Sequence, residues 1–424
     1  MLLRSFMIRN VATVLRGTVF GQALGFLVLP LLSRLYDPEA FGHFQLYQSA
    51  TLVLVVFVSL RFEVALLRAQ DGRELQATLM LCMISTFATA ALSTAAWATV
   101  TAIYPVLYQL MPVPVWVVGP IVILIGVFQF LGYVVTREHL YRESANSKIT
   151  QAVTYSTFAV AFGVAVSSVG LILADALSRL CASIQLLRSL RGRNLNDFYN
   201  ISFSYLKSTA YKFREFPLIT VFGGVINSLG IVATPIMIYS KFNAEVSGQF
   251  ALVERAISFP IAMIVGAVSQ VYMANMAKAV RENPEQVKLL FHSLLKNLAV
   301  IAIAPSILAF LIAPYAFTVI FGSEWQLAGV LAQIMIPTYF IIFVYGGVNM
   351  TMMLLGRQVM QTAWEIFRLV CMLGFWLLLF QPDMSVTFVV TVHAMILGGV
   401  SLLFLVLAEY SVRKGPTEAA LDRA

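Results

Sequence analysis

Apolar and polar positions fall along this chain in long blocks. Twelve apolar runs can each cross a hydrocarbon core, which takes about 20 helical residues. They lie near 11–33, 41–66, 76–103, 113–136, 149–168 and 171–189, then near 216–239, 247–272, 292–316, 326–355, 358–380 and 385–409. Runs of this length read as helices, because a spanning segment must satisfy its own backbone hydrogen bonds where no water can reach. The fifth and sixth runs have only Ser167, Ser168, Val169 and Gly170 to turn on. The pattern predicts a six-helix lobe over 1–190, a polar linker over 191–215 and a second six-helix lobe over 216–424.

The halves are written as copies. Gly25 to Ala50 reads GFLVLPLLSRLYDPEAFGHFQLYQSA, and Gly230 to Ala256 reads GIVATPIMIYSKFNAEVSGQFALVERA. Gly25 and Pro30 match Gly230 and Pro235 at a separation of 205. Glu39, Gly42, Phe44, Leu46 and Ala50 match Glu245, Gly248, Phe250, Leu252 and Ala256 at 206, so the turn carries one inserted residue. Such an internal parallel repeat is a common plan for a secondary transporter.

Composition excludes an ordinary soluble protein. The 424 residues are 60% hydrophobic and 11% charged, where a soluble domain carries about 25% charge. Mean hydropathy is +0.85. The net charge of +8 would suggest nucleic acid in a soluble chain, but its distribution matters more here. With the N-terminus inside, twenty lysines and arginines fall in the inner segments, among them Arg68, Arg73, Arg137, Lys207, Lys212 and Arg214; only Arg34 and Lys241 fall outside. The positive-inside rule therefore places both termini in the cytoplasm. The N-terminus has the basic start and apolar run of a signal peptide, but it runs through Leu32 without an A-x-A-like site and reads as the first span. Cys82, Cys181 and Cys371 lie in separate apolar runs with no ligand spacing, so neither a disulfide nor a metal site is expected.

The linker is basic, with Phe198, Tyr199, Phe203, Tyr205, Tyr211 and Phe213 interleaved among its cations. Aromatics among cations can stack bases, yet beside a membrane the pattern reads as an interfacial segment on anionic lipid. No nucleic-acid partner is expected. The outer loops are short, which argues against a membrane enzyme with a large external catalytic loop. His43, His139, His292 and His393 are scattered, and no H-E-x-x-H, P-loop or nucleophile elbow is present. Asn200-Ile201-Ser202 and Asn349-Met350-Thr351 match the glycosylation pattern but fall inside and within the membrane on this topology.

Charges within spans carry the sharper signal, because a charge at a helix centre costs roughly 2.5–3.5 kcal/mol on insertion scales. They are Arg16, Arg61, Glu63, Asp175, Arg179, Glu254, Arg255, Glu365 and Arg368. Arg16 and Arg61 lie close enough to the basic inner edge to snorkel. Arg179, Arg255 and Arg368 lie roughly 12–17 Å from the nearer end of their spans, too deep for that. Asp175 with Arg179 at i,i+4 and Glu365 with Arg368 at i,i+3 share helix faces, whereas the adjacent Glu254 and Arg255 diverge. Salt bridges between helices are one reading. The other is a cationic cavity between the lobes that holds an anion on Arg255, Arg368, Arg179 and Arg61, with Asp175, Glu254 and Glu365 as carriers of a coupling proton or sodium. Gly17, Gly21 and Gly25 leave one face of the first span without side chains, for close packing or for sliding. Pro30, Pro105, Pro217, Pro235, Pro260, Pro305, Pro314 and Pro337 lie in or near spans and permit bending.

Several of these stretches resemble one family. GFLVLPLLSRLYDPEAFGHFQL is similar to the opening pair of spans of Wzx-type oligosaccharide flippases, and Leu60-Arg61-Phe62-Glu63-Val64-Ala65 is similar to their signature at the end of span two. NSLG at 227–230, SGQFAL at 247–252 and FGSEWQLAG at 321–329 are also family-like. These flippases form the polysaccharide transporter group of the multidrug/oligosaccharidyl-lipid/polysaccharide (MOP) exporter superfamily. The resemblance covers nearly the whole chain, and the order and spacing of the motifs carry it.

The resemblance implies an all-α polytopic membrane protein with two six-helix lobes around a central cavity, working by alternating access without a cofactor. It implies transport of undecaprenyl diphosphate carrying a short oligosaccharide from the cytoplasmic to the outer leaflet of a bacterial inner membrane. That step serves O-antigen, capsule or exopolysaccharide assembly, with membrane lipids and other assembly proteins as partners. Only Arg61 falls on a family motif; Arg179, Arg255 and Arg368 rest on depth alone. A cation-coupled drug exporter of the same superfamily should favour acidic cavity residues, against the deep arginines. A polymerase or ligase of the pathway should carry a long outer loop.

Overall fold

A computed structural model describes residues 2–104, 113–165, 169–191, 201–283, 285–381 and 383–417. Pro105, the turn at Ser167 and Ser168, the linker residues Arg193, Phe198, Tyr199 and Asn200, and Arg423 lie outside the described residues, as do the side chains of Arg4, Arg9, Arg16 and Arg281.

Every apolar run is helical, and no strand occurs among the described residues. The first half comprises α1 (Leu2–Leu35), α2 (Pro38–Phe57), the single turn α3 (Phe62–Ala65), α4 (Arg73–Ile103), α5 (Val115–Arg137), α6 (Tyr141–Ala165) and α7 (Gly170–Ser189). In the linker lies α8 (Phe203–Lys212). A wide i→i+5 turn over Phe216–Thr220 then leads into α9 (Val221–Lys241). The chain continues as α10 (Ala244–Val253), a second wide turn over Glu254–Ser258, α11 (Phe259–Glu282) and α12 (Gln286–Phe321). After a 3₁₀ turn at Ser323–Trp325 come α13 (Gln326–Gly346), the short α14 (Thr351–Leu354), α15 (Gln358–Gly374), a third wide turn over Phe375–Leu379 and α16 (Val386–Lys414).

Eight of the described helical segments are long and apolar enough to cross a membrane. Their surfaces confirm the medium. Leu92, Trp116, Leu311 and Met395 are all more than two-thirds exposed, and only 17% of the most apolar window of α12 is buried. Leaving this much apolar area in water would cost about 25 cal/mol per Å², so the surrounding solvent is hydrocarbon.

Two expected continuous spans are interrupted. The second breaks after Phe57, where Leu60 and Arg61 take left-handed backbone angles (φ 49° and 61°) before α3 resumes. Non-glycine residues occupy this region only when their surroundings enforce it. The tenth span breaks at Gly346-Gly347, where α13 gives way to tight i→i−3 turns before α14; two adjacent glycines weaken the helix there.

The chain packs as two compact units, Met1–Tyr239 with Asn243–Gly248, and Ser240–Phe242 with Gln249–Ala424. The sequence repeat surfaces within the first of them. Asp37 caps α2 by accepting from Ala40 N at 2.8 Å, which fixes where the helix starts. There Gly42 lies against the Ala244 carbonyl and Gly248 against the Pro38 carbonyl, so closely that a Cβ at either glycine would fall onto backbone. Pro38 and Ala244, like Gly42 and Gly248, are repeat mates at a separation of 206. Two copies of one motif cross each other reciprocally.

Of the glycines on α1, Gly17 packs on Ala145 and Gly21 on Ala152, both of α6, while nothing approaches a Cβ at Gly25. Close helix packing accounts for the first two.

Candidate functional site

The break in span two builds the first cluster. Glu63 is fully buried; Ser59 Oγ donates to its Oε2 at 2.5 Å and Gln129 Nε2 on α5 donates to its Oε1 at 2.7 Å. Arg61 approaches the same carboxylate at 3.8 Å, with 21% of its side chain exposed. The guanidinium extends towards α9, where a Cβ at Gly224 would stand 2.7 Å from its Nη2. Glycine there makes room for the cation. A buried carboxylate takes two neutral donors and one loosely held arginine, which keeps a charged fork only partly engaged.

A second cluster joins α2 to α7. Asp175 accepts from Arg179 Nε at 2.8 Å, from Arg179 Nη2 at 3.3 Å and from Tyr47 hydroxyl at 2.7 Å. The i,i+4 spacing brings acid and base together as the sequence predicts. Along span two the clusters are separated, with Tyr47 inside α2 and Arg61 14 positions on, past the break that ends that helix. No hydrogen bond or ion pair joins them among the described residues.

In the second unit, Glu254 opens the wide turn and accepts from the Tyr339 hydroxyl of α13 at 2.5 Å, two residues after Pro337. Arg255 follows, half-buried, at the second position of that turn. Wide turns of this kind recur at functional sites because they swing side chains off the regular helical track. Arg368 on α15 is half-buried. It makes no ion pair with Glu365, contrary to the expected i,i+3 contact; its guanidinium lies over the Trp364 ring, 5.2 Å from the centroid. Trp364 is itself fixed, donating from Nε1 to the Val400 carbonyl at 2.9 Å and packing edge-on against Phe404 at 4.9 Å. Glu365 is exposed. The ring face attracts the cation, and the Tyr345 hydroxyl stands within hydrogen-bonding reach of the same guanidinium.

Sequence reasoning missed Ser59, Gln129, Gly224, Tyr47, Tyr339 and Trp364. Gln129 was the most accessible of these, a lone amide within the apolar run 113–136. Among the described residues, no group of three or more histidine, cysteine or acidic side chains is placed to hold a metal.

Comparisons with known proteins place this geometry. No curated protein matches the chain. Its fold is similar to that of the lipid II flippase MurJ in an inward closed conformation, with 10% identity over 93% of this chain and 86% of that one and a TM-score of 0.67. An inward-facing multidrug resistance MATE family transporter of the MOP superfamily is similar at 13% identity, 96% of each chain and a TM-score of 0.60. A MOP superfamily transporter from Pyrococcus furiosus is similar at 15% identity, 96% and 95% coverage and a TM-score of 0.52. At such identities the likeness is one of fold. The family model described as polysaccharide biosynthesis protein matches residues 31–330. With most of its length under that model, the chain belongs to the polysaccharide biosynthesis protein family, built on the fold of MOP-superfamily transporters.

Proposed function

We propose that this protein is a flippase for a lipid-linked oligosaccharide, carrying an undecaprenyl-diphosphate-linked glycan from the cytoplasmic to the outer leaflet for surface polysaccharide assembly. It sits in a bacterial inner membrane with both termini in the cytoplasm and works by alternating access of the lobes 1–190 and 216–424. The observation that carries the reading is Arg368. In a polysaccharide biosynthesis protein, it is an arginine deep in an apolar helix that stands over an aromatic ring and not on a carboxylate. A diphosphate needs such a fork, while the polyprenyl tail stays in the bilayer.

Arg255 and Arg368 hold the diphosphate, and Arg61 beside Gly224 supplies a further cation at the inner end of span two. The fork of Arg179 is taken up by Asp175, so we assign that pair to holding α7 against α2. Glu254 is the acidic side chain we assign to ion coupling, ahead of the exposed Glu365 and the engaged Asp175.

The test is the leaflet location of the lipid-linked oligosaccharide in cells lacking the protein. Build-up on the cytoplasmic face, relieved by restoring the chain, is the expected result. Normal outward movement with unextended or unattached glycan would overturn the reading in favour of a polymerase or ligase.

A further inference from the structure

The transport reading makes no use of the linker helix. Ser202 caps α8 by accepting from Tyr205 N at 3.3 Å. One face of the segment is anchored. Leu206, Phe213 and Phe216 are buried in a core cluster with Phe62, Leu75 and Phe130. Two ion pairs fix it further, Lys212 to Glu74 at 2.7 Å and Arg68 to Glu215 at 2.7 Å. The helix therefore lies against α4, and the wide turn that follows it lies against α3, so the segment is not a free tether.

The opposite face is a row. Phe203, Lys207 and Tyr211 stand at i, i+4 and i+8, with Phe203 81% and Tyr211 65% exposed. The guanidinium of Arg214 lies over the Tyr211 ring at 4.1 Å, and that of Arg73 lies over Tyr205 at 4.6 Å. Glu74 and Glu215 are already engaged by Lys212 and Arg68, whereas Lys207, Arg214 and Arg73 pair with no carboxylate among the described residues. The row thus combines two open rings with uncompensated positive charge. Four residues beyond α8, the wide turn at Phe216–Thr220 carries the chain into the apolar α9, so the helix lies close to where the chain enters hydrocarbon.

We propose that the face made by Phe203, Lys207, Tyr211 and Arg214 docks on an anionic phospholipid surface. The rings enter the boundary between headgroups and acyl chains, and the cations meet the phosphodiesters. Charge complementarity selects this occupant: Phe203, Lys207, Tyr211 and Arg214 include no carboxylate for a basic partner, and the segment leads directly into an apolar helix.

The test uses full-length Phe203→Trp, at a site open enough to accept the larger ring, reconstituted in phosphatidylcholine vesicles. A minor fraction of either brominated phosphatidylglycerol or brominated phosphatidylcholine is added, and quenching of the fluorescence introduced by the substitution is read. Phosphatidylglycerol should quench several-fold more strongly, and Lys207→Gln with Arg214→Gln should abolish that preference while leaving the helix docked. Equal quenching by both lipids would refute recognition of an anionic surface. Quenching by aqueous iodide with none from either lipid would refute the membrane contact altogether and leave the face for a protein partner.

Discussion

Replacing Arg179 by glutamine empties the base of the α2–α7 junction. Asp175 then loses donors at 2.8 and 3.3 Å and keeps only Tyr47 at 2.7 Å. Side-chain hydrogen bonds within membrane proteins average about 0.6 and reach about 1.7 kcal/mol, so the two contacts account for roughly 1–3 kcal/mol. The larger part is the charge left behind. Asp175 is 8% exposed, and stripping the partner from a buried pair costs about 3–5 kcal/mol in total. Thermal unfolding in detergent should show Arg179→Gln strongly destabilised. Asp175→Asn combined with Arg179→Gln should recover most of the loss, because two neutral amide side chains leave no orphan charge. A single variant that keeps its unfolding temperature but loses transport, with no recovery in the double variant, would overturn the reasoning and return Arg179 to the substrate.

Arg255→Ala and Arg368→Ala should each abolish flipping while insertion and abundance stay near normal; wild-type flipping in both would make these arginines structural. Gly248→Leu should cost about 1–3 kcal/mol or more through overpacking on the Pro38 carbonyl. Gly25→Ala, with nothing near its Cβ, should stay within about 0.5 kcal/mol in the same unfolding assay, and equal effects would contradict the crossing. Glu63→Ala strands Ser59, Gln129 and Arg61 together, and about 2–3 kcal/mol of stability should go with it. An unchanged unfolding temperature would show that the buried network contributes nothing.

Helices and their order were legible because each apolar run exceeds what any soluble element would need. The break in span two was not. Val58 to Glu63 contains neither glycine nor proline, and what holds Glu63 in place includes Gln129, 66 residues away. Among the charges, local spacing succeeded where no better partner stood nearby. Asp175 and Arg179 meet at i,i+4, and only the third member, Tyr47, comes from 128 positions away. Glu365 and Arg368 have nearly the same local credentials, yet Arg368 turns to Trp364. Spacing names the partners a side chain can reach, and the packing of the unit decides which one it takes.

The crossing at Gly42 and Gly248 has a historical consequence. Each glycine faces the mate of the residue that the other faces, so the contact is isologous, the kind by which two identical chains pair. An ancestor of half this length would already have carried a self-complementary patch and could have dimerised through it. Joining two such copies in one chain would make the pair permanent without inventing an interface. In such an ancestor one substitution would strike both sides at once, whereas in the present chain the mates Pro38 and Ala244 are independent positions and differ. The glycines leave no such freedom, because a side chain at either would fall on the backbone of the other copy.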